Sequence, residues 1–190
     1  NAYEVGFKTD FWDQRARLNT SLFFYDYSDY QLETNDSASI LIQNVADLET
    51  SGIEIDGTIL VGDNLDFRIA YAYLNAEFQE GIIVDPDGNS LDLKGNDALR
   101  SPKNTFSVAG TWNITDQWDL RADWSWTDKM FYTADNAEIL RSDDYSLFNA
   151  RLDYNSASGH WGVSLIGDNL TDEEYVNSMI NFLVPMSAPG

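Results

Sequence analysis

Cysteine is absent from this sequence, and histidine occurs only once, at His160. Without cysteine the chain cannot form a disulfide framework, a thiolate zinc site or a cysteine nucleophile. A single histidine likewise excludes a metal site that is built from several imidazoles. The sequence therefore offers little of the chemistry on which metalloenzymes and thiol enzymes depend.

Basic residues are scarce, because the 190 residues include 11 Lys and Arg against 32 Asp and Glu, a formal net charge of −21. Binding to nucleic-acid phosphates needs clustered Lys and Arg, so a nucleic-acid partner is not expected. Long hydrophobic runs are also missing, and no stretch approaches the roughly 18 apolar residues of a membrane-spanning helix. A transmembrane β-barrel stays possible, since its strands are recognised by alternation.

Alternation of apolar and polar residues is the dominant pattern. Apolar side chains occupy the even positions of 120–126, and polar or charged side chains occupy the odd positions of 119–125. This period of two is typical of strands with one apolar face and one polar face. Strands of about nine to eleven residues cross a bilayer, whereas strands of globular proteins average about five to six. The predicted long strands are 18–27, 67–78, 120–131 and 145–154.

Short and long connections alternate along the chain. Short turns are predicted near 10–14, 61–64, 113–117 and 155–159, and long polar loops near 28–40, 79–101, 128–144 and 168–189. Every second connection of an antiparallel meander lies at the same end, so the short turns should share one rim and the long loops the other. The sequence thus predicts an all-β, antiparallel, up-and-down transmembrane barrel segment of about eight to nine strands.

Aromatic residues are predicted to form two girdles at the ends of these strands, as in membrane barrels. The girdle at the short turns would comprise Phe11, Trp12, Trp112, Trp118, Tyr154 and Trp161. The girdle at the long loops would comprise Tyr25, Tyr27, Tyr73, Trp126 and Phe131. The alternative interpretation is that these rings form the core of a soluble β-sandwich.

Charges of both signs recur on the polar face of the predicted strands, at Arg68, Asp119, Arg121, Asp123, Arg151 and Asp153. Such groups cannot face hydrocarbon, where a midplane Arg costs roughly 2–4 kcal/mol even in a barrel. They should line a wet interior, with ion pairs across neighbouring strands, although an ordinary solvated sheet face carries similar charges. The side chains expected to face lipid are Leu22, Phe24, Ile69, Tyr71, Trp124 and Leu152.

Several segments carry recognisable strand motifs in a fixed order. They are Tyr-Glu-Val-Gly-Phe-Lys at 3–8, the strands at 18–27 and 44–57, Tyr-Ala-Tyr-Leu-Asn-Ala at 71–76, Pro-Lys-Asn at 102–104, Phe-Asn-Ala-Arg-Leu at 148–152, and Gly-Asp-Asn-Leu-Thr-Asp-Glu-Glu-Tyr at 167–175. Each pattern is weak by itself. In this order they resemble the barrel of TonB-dependent outer-membrane receptors.

The resemblance implies a barrel of twenty-two strands around an N-terminal plug, in the outer membrane of a Gram-negative bacterium. Residues 1–190 would be its C-terminal portion, without plug, earlier strands and closing strand. The implied function is uptake of a scarce nutrient, most often a ferric siderophore or other iron complex, driven by TonB–ExbB–ExbD through the plug. Outer-membrane lipid and lipopolysaccharide would be further partners, the latter through divalent ions at the acidic loops.

Two other functions stay open on the residues alone. A soluble β-sandwich that binds carbohydrate would use Trp124 and Trp126 as stacking platforms. A passive porin-like barrel would share the same wall without a plug.

The loop at 85–92 holds closely spaced oxygen ligands in Asp85, Asp87, Asn89 and Asp92, which make a weak candidate for a Ca²⁺ site. The loop lacks the full EF-hand spacing, and its Asp-Gly and Pro-Asp steps are ordinary turn chemistry. The carboxylates at 172–174 have no evident partner for acid–base catalysis. Since no catalytic arrangement or nucleotide fingerprint is present, we expect a non-enzyme without a cofactor.

Overall fold

The computed structural model describes residues 1–36, 39–84 and 90–179, except for the side chains of 33–36, 39–43 and 45. Nine strands and one short 3₁₀ turn occur in this part of the chain. They are β1 (Ala2–Phe11), β2 (Ala16–Asp36), β3 (Ser39–Val61), β4 (Leu65–Val84), β5 (Ser90–Asp92), β6 (Asn104–Thr115), β7 (Trp118–Thr127), the 3₁₀ turn (Glu138–Leu140), β8 (Tyr145–Asn155) and β9 (Gly162–Gly167). Within these ranges no helix has the length and hydrophobicity needed to cross a membrane.

All nine strands belong to one antiparallel sheet, in the order β1-β2-β3-β4-β6-β7-β8-β9. The short strand β5 pairs with the far end of β4, outside this path. Strands that follow one another in the wall are therefore neighbours, which makes the sheet a meander. The predicted barrel-wall architecture is confirmed, and the sandwich alternative is wrong because the described strands form a single sheet.

One face of this sheet, which we call the apolar face, carries no charged side chain from the short turns up to the level of Phe24 and Tyr73. Register places the large apolar residues of successive strands side by side on it. They include Val5, Phe7, Leu22, Phe24, Ile53, Ile55, Phe67, Ile69, Tyr71, Phe106, Val108, Trp112, Leu120, Trp124, Trp126, Phe148, Leu152 and Leu165. All six side chains expected to face lipid lie on this face.

Charges with the same parity begin just beyond this level, toward the long loops. Asp26 pairs with Glu49, and Glu49 pairs with Glu77 on the next strand. The uncharged part of the apolar face is therefore a band with a defined upper limit on β2, β3 and β4. A band of this kind is expected where a wall leaves a bilayer.

The opposite face, which we call the polar face, collects the charges of the wall. Its charged members are Glu4, Lys8, Asp10, Arg17, Glu54, Asp56, Asp66, Arg68, Asp119, Arg121, Asp123, Arg151 and Asp153. The separation follows from the period of two, because paired residues in a sheet share a face and adjacent residues along a strand do not.

Strands β2, β3 and β4 are longer than the sequence predicts, with 21, 23 and 20 residues. The loop predicted at 28–40 is largely a continuation of the β2–β3 hairpin, beyond register shifts near Tyr27 and Tyr30. Likewise, β4 runs on to Val84 and pairs there with β5. Backbone pairing does not need an apolar side, so strands that leave a bilayer can be polar on both faces. This is why polar composition wrongly predicted loops here.

Elsewhere the connections agree better with the sequence. The strand predicted at 120–131 ends earlier, at Thr127, where Asp128 N–H makes a last bond to the Asn104 carbonyl at 3.0 Å. Residues 128–144 then form the expected long connection between β7 and β8. The short turns are tight, and Trp12, Asp13 and Gln14 all have positive φ angles, of 53°, 53° and 66°.

Candidate functional site

A depression of about 300 Å³ lies on the polar face. Its floor is made of small side chains from β4, β6 and β7, namely Ala70, Ala72, Thr105, Ser107, Ser125 and Thr127. Glu54 and Asp56 of β3 border one side of it. Register explains the arrangement, because Glu54 pairs with Ala72 and Asp56 with Ala70 on the neighbouring strand.

Hydrogen bonds between strands hold the polar face around this depression. Asn19 donates its side-chain amide to Asp56 at 2.7 Å, and Asn149 donates to Asp123 at 2.8 Å. At the edge strand, the Ser21 hydroxyl donates to Glu4 at 2.7 Å. Several carboxylates of the wall are therefore occupied by neutral donors rather than by cations.

The ion pairs on the wall differ from the predicted cross-strand pattern. Arg151 binds Asp153 along its own strand, with Nε and Oδ2 2.8 Å apart. Across β7 and β8 like faces like, since Arg121 is opposite Arg151 and Asp119 is opposite Asp153. Cross-strand ion pairs were expected among Arg121, Asp123, Arg151 and Asp153. The ion pair seen among these described residues, Arg151–Asp153, lies within one strand, so that expectation is wrong.

A cross-strand ion pair does occur between β1 and β2. Arg17 lies directly opposite Asp10, and its Nε is 2.7 Å from Asp10 Oδ1. A second contact joins Arg17 Nη2 to the other carboxylate oxygen at 3.3 Å. Opposed register positions therefore produce an ion pair here, where the two residues carry opposite charge.

The aromatic girdle at the short turns is present on the apolar face. The rings of Trp118 and Tyr154 are 4.7 Å apart, and those of Tyr154 and Trp161 are 5.2 Å apart. Trp112 lies on the same face, opposite Leu120. Rings with a polar edge favour the level of lipid headgroups, so this cluster agrees with a membrane boundary at the short-turn rim.

The girdle predicted at the long loops needs correction. Tyr25 and Tyr27 lie on the polar face, because their partners in the register, Thr50 and Leu48, belong to it. Phe131 lies beyond the end of β7, in the connection to β8. Of the five predicted members, only Tyr73 and Trp126 remain on the apolar face.

Tyr25 and its neighbours instead form part of the polar face. Phe23 stacks on Tyr25, with ring centroids 5.3 Å apart and an interplanar angle of 21°. Tyr25 also donates its hydroxyl to Glu4 at 3.4 Å. The polar face therefore carries an aromatic patch of its own near the edge strand.

At the long-loop end, an apolar cluster caps the polar face. Phe78 belongs to that face, two positions beyond Ala76, and its side chain and that of Leu93 are fully buried. The other buried members of the cluster are Leu32, Ala46, Leu48, Ala76 and Ala98. Among its partly buried members is Ala134, from the connection between β7 and β8. We call the three segments 93–100, 130–142 and 168–179 the mouth cap.

The first two segments of the mouth cap are joined by four hydrogen bonds. Asp97 N–H donates to Asn136 Oδ1 at 2.7 Å, and Asn136 Nδ2 donates to the Asp97 carbonyl at 2.9 Å. Asn96 Nδ2 donates to the Ala134 carbonyl at 2.9 Å, and Arg100 N–H donates to the Phe131 carbonyl at 2.7 Å. These two loops are thus one packed unit.

The third segment is fastened to the second and to β8. The buried Tyr132 donates its hydroxyl to the Val176 carbonyl, and Tyr175 stacks on Tyr145 with centroids 4.7 Å apart. Burial raises the pKa of Tyr132 above its ordinary value. Asn169 braces the segment internally, since it accepts from Glu173 N–H and donates to the Glu173 carbonyl, both at 3.0 Å.

The candidate Ca²⁺ loop falls only partly within the described residues, because Asp85, Asp87 and Asn89 lie outside them. Asp92 accepts from Lys94 N–H at 3.0 Å, as an ordinary turn residue does. Glu173 is held by Asn169, and His160 is exposed in a short turn. Within the described ranges no three His, Asp or Glu residues come together in a way that could hold a metal ion.

Asn136, Tyr132, Phe78 and Leu93 organise the mouth cap, and sequence reasoning did not single them out. The sequence pattern places Phe78 only at the end of an alternating strand, and the other three fall in predicted loops. Their partners lie far away in sequence, as with Asp97 and Asn136, which are 39 positions apart. No local pattern signals such contacts.

A meandering wall with one charge-free band, one polar face and the long connections β4–β6 and β7–β8 at the same end is characteristic of the class of outer-membrane-type β-barrels. The family model described as "TonB dependent receptor-like, beta-barrel" matches residues 1–170. The chain therefore belongs to the TonB-dependent receptor family. Members of this family are outer-membrane β-barrel proteins that act as transport receptors and not as enzymes.

Solved structures with the same fold include three bacterial receptors. The siderophore receptor PiuA from Acinetobacter baumannii is 22% identical with a TM-score of 0.76, over 92% of this chain and 24% of that one. The ferric yersiniabactin uptake receptor FyuA from Yersinia pestis is 19% identical with a TM-score of 0.78, over 96% and 26%. The ferric-catecholate import receptor Fiu from E. coli K12, in its closed form, is 22% identical with a TM-score of 0.68, over 94% and 24%. The chain thus spans about a quarter of their length.

Proposed function

We propose that this chain forms part of the wall and extracellular mouth of a TonB-coupled outer-membrane receptor that imports an iron complex, such as a ferric siderophore. Membership of the TonB-dependent receptor family supports the coupling. The iron complex is suggested by the names of the solved relatives, which import ferric yersiniabactin and ferric catecholates. In this proposal residues 1–190 supply the C-terminal portion of the barrel.

The separation of the two faces is the observation that carries the proposal. An uncharged band with large exposed side chains, such as Leu22 at 50% and Leu165 at 71% exposure, is costly in water and favourable in lipid. The charged face would be costly in lipid and suits a wet interior. Together they give the wall a lipid side and a lumen side.

The long-loop end would then face outside the cell, where the ligand is captured. The mouth cap covers the lumen side of the wall at this end, so its exposed surface would contribute to ligand capture. The acidic loops would also interact with divalent ions that bridge lipopolysaccharide. Inward release would depend on TonB–ExbB–ExbD acting on a plug within the barrel, as the family suggests.

An uptake assay in living cells tests this function. A strain without the receptor gene is given ⁵⁵Fe bound to a hydroxamate siderophore, a catecholate siderophore or citrate, with labelled cobalamin and maltotriose as controls. We expect loss of uptake for one iron complex, and restoration by the wild-type gene only when TonB is present. Uptake that persists without TonB would instead indicate a passive porin, and loss of only cobalamin or sugar uptake would refute an iron substrate.

A further inference from the structure

We propose that Asn136 is a positioning residue that locks the connections on either side of β6 and β7 into one rigid mouth cap. The ligand-facing surface of the mouth cap would then be one continuous surface made by several segments, and not a set of separate loops. The proposal rests on the proposed uptake function only for its biological meaning. The mechanical coupling itself can be tested without any ligand.

The side chain of Asn136 meets both backbone groups of one distant residue. Its Oδ1 accepts from Asp97 N–H at 2.7 Å, and its Nδ2 donates to the Asp97 carbonyl at 2.9 Å. The same Nδ2 also reaches the Thr133 carbonyl of its own turn at 3.3 Å. Asn136 therefore bonds simultaneously to its own loop and to the preceding one.

Asparagine suits this position for two reasons. Its φ angle is 52°, in the left-handed region that Asn tolerates better than most side chains. Its amide also supplies an acceptor and two donors, whereas aspartate supplies acceptors only. Glycine would keep the backbone conformation and lose all three bonds, so the two contributions can be separated by substitution.

The bonds of Asn136 lie close in sequence to an apolar contact of the same loop. Ala134, two residues earlier, packs against the cluster that buries Phe78 and Leu93. Release of the Asn136 amide would leave the Asn96–Ala134 and Arg100–Phe131 hydrogen bonds and this packing to hold the two loops together. A mouth cap without Asn136 should therefore be looser between segments 93–100 and 130–142 without coming fully apart.

The third segment extends the same unit. Tyr132 lies four positions before Asn136 in the same connection and holds Val176. Arg100, three positions after Asp97, contacts Ser178 at 3.4 Å. Displacement of the 130–142 segment would thus disturb 168–179 as well. A ligand that moves one segment would therefore move all three.

Distance measurement between two spin labels tests this coupling in the intact receptor, in lipid nanodiscs. This chain contains no cysteine, and labels can be attached at Lys94→Cys and Ile139→Cys, both exposed and on the two joined segments. A second pair, Asp63→Cys and Ala157→Cys, reports on the wall at the short-turn rim, where both residues are exposed. The variants are Asn136→Gly and Asn136→Asp, and the matched control is Asp135→Ala, an exposed neighbour whose side chain accepts from Ala137 N–H of its own loop.

In the wild type and in Asp135→Ala we expect one narrow distance distribution for the 94–139 pair. Asn136→Gly should broaden it at least twofold, and Asn136→Asp should give an intermediate width because only the bond from Asp97 N–H remains possible. The 63–157 pair should stay narrow in every variant. An unchanged 94–139 distribution in Asn136→Gly would overturn the proposal, and so would equal broadening of the 63–157 pair, which would mean loss of the wall and not of the cap. Neither result depends on which ligand is imported.

Discussion

The ring of Phe23 lies across Gly52 on the neighbouring strand of the polar face. A Cβ atom built on Gly52 would stand 2.6 Å from Phe23 Cζ, and closer still to the carbonyl oxygen of Tyr73. Gly52 is thus a point of close approach between β2, β3 and β4. The ring in turn shields a strand residue that has no side chain of its own.

Replacement of Gly52 by alanine should destabilise the wall, by about 1–3 kcal/mol for an overpacked site. Gly110→Ala is the matched control, since its nearest neighbour would be the Phe67 ring at 3.2 Å, a side chain that can shift. Urea unfolding in lipid vesicles, followed by tryptophan fluorescence, measures the free energy of unfolding of both glycine variants. Adding Phe23→Ala to the Gly52→Ala variant should restore only part of the lost stability, because the Tyr73 carbonyl stays in place. Equal losses for the two glycine variants would contradict this account.

Asp153 should matter more to the wall than the neighbouring Asp119. It neutralises Arg151, which lies directly opposite Arg121, and the Ser164 hydroxyl donates to it as well. Asp153→Asn should lower the urea midpoint, and the loss should shrink with added salt because screening weakens the repulsion. Asp119→Asn removes a charge opposite Asp153 and should leave the midpoint unchanged or raise it. A larger loss for Asp119→Asn would refute this arrangement of charges.

Tyr132 should hold the 168–179 segment closed in a pH-dependent way. Burial raises its pKa above 10.0, so the unfolded tyrosine ionises first. The stabilisation is therefore complete below pH 10 and is lost as pH rises through the higher pKa of the folded state. Absorbance titration should show a late-ionising tyrosine that is missing in Tyr132→Phe.

The Tyr132→Phe variant should also open the 168–179 segment at neutral pH. Loss of one hydrogen bond worth about 0.5–1.5 kcal/mol predicts roughly 2- to 12-fold faster amide exchange in 168–179. Tyr145→Phe is the control, because its ring still stacks on Tyr175 and no hydrogen bond of its hydroxyl is seen within the described residues. Similar acceleration in both variants would argue against the Tyr132–Val176 contact as the fastening.

The two faces of the wall could be predicted from the sequence because membrane and lumen sort side chains with a period of two. The same rule could have placed Tyr25 correctly. Leu18, Leu22 and Phe24 occupy even positions of β2, so odd-numbered Tyr25 had to lie on the other face. The odd position of Tyr25 along β2 was a stronger indication of its face than the suitability of a tyrosine ring for a girdle.

The length of the outer hairpins and the mouth cap could not be predicted. Outside a bilayer a strand needs no lipid-facing apolar side, so the alternation that marks β3 and β4 within the wall does not have to continue to their far ends. The cap depends on contacts between residues that are distant along the chain, such as Tyr132 and Val176, 44 positions apart. Asparagine and tyrosine in polar loops carry no signal of such partners.

If the apolar face meets lipid and the polar face meets water, alternate residues of β7 should be exposed to lipid and to water. Each residue of Trp118–Thr127 is replaced in turn by a spin-labelled cysteine in the intact receptor in a bilayer. Collision with oxygen, which concentrates in lipid, should peak at even positions such as Leu120 and Trp124. Collision with a water-soluble nickel chelate should peak at odd positions such as Asp123 and Ser125. Absence of this alternation, or its reversal, would contradict the account.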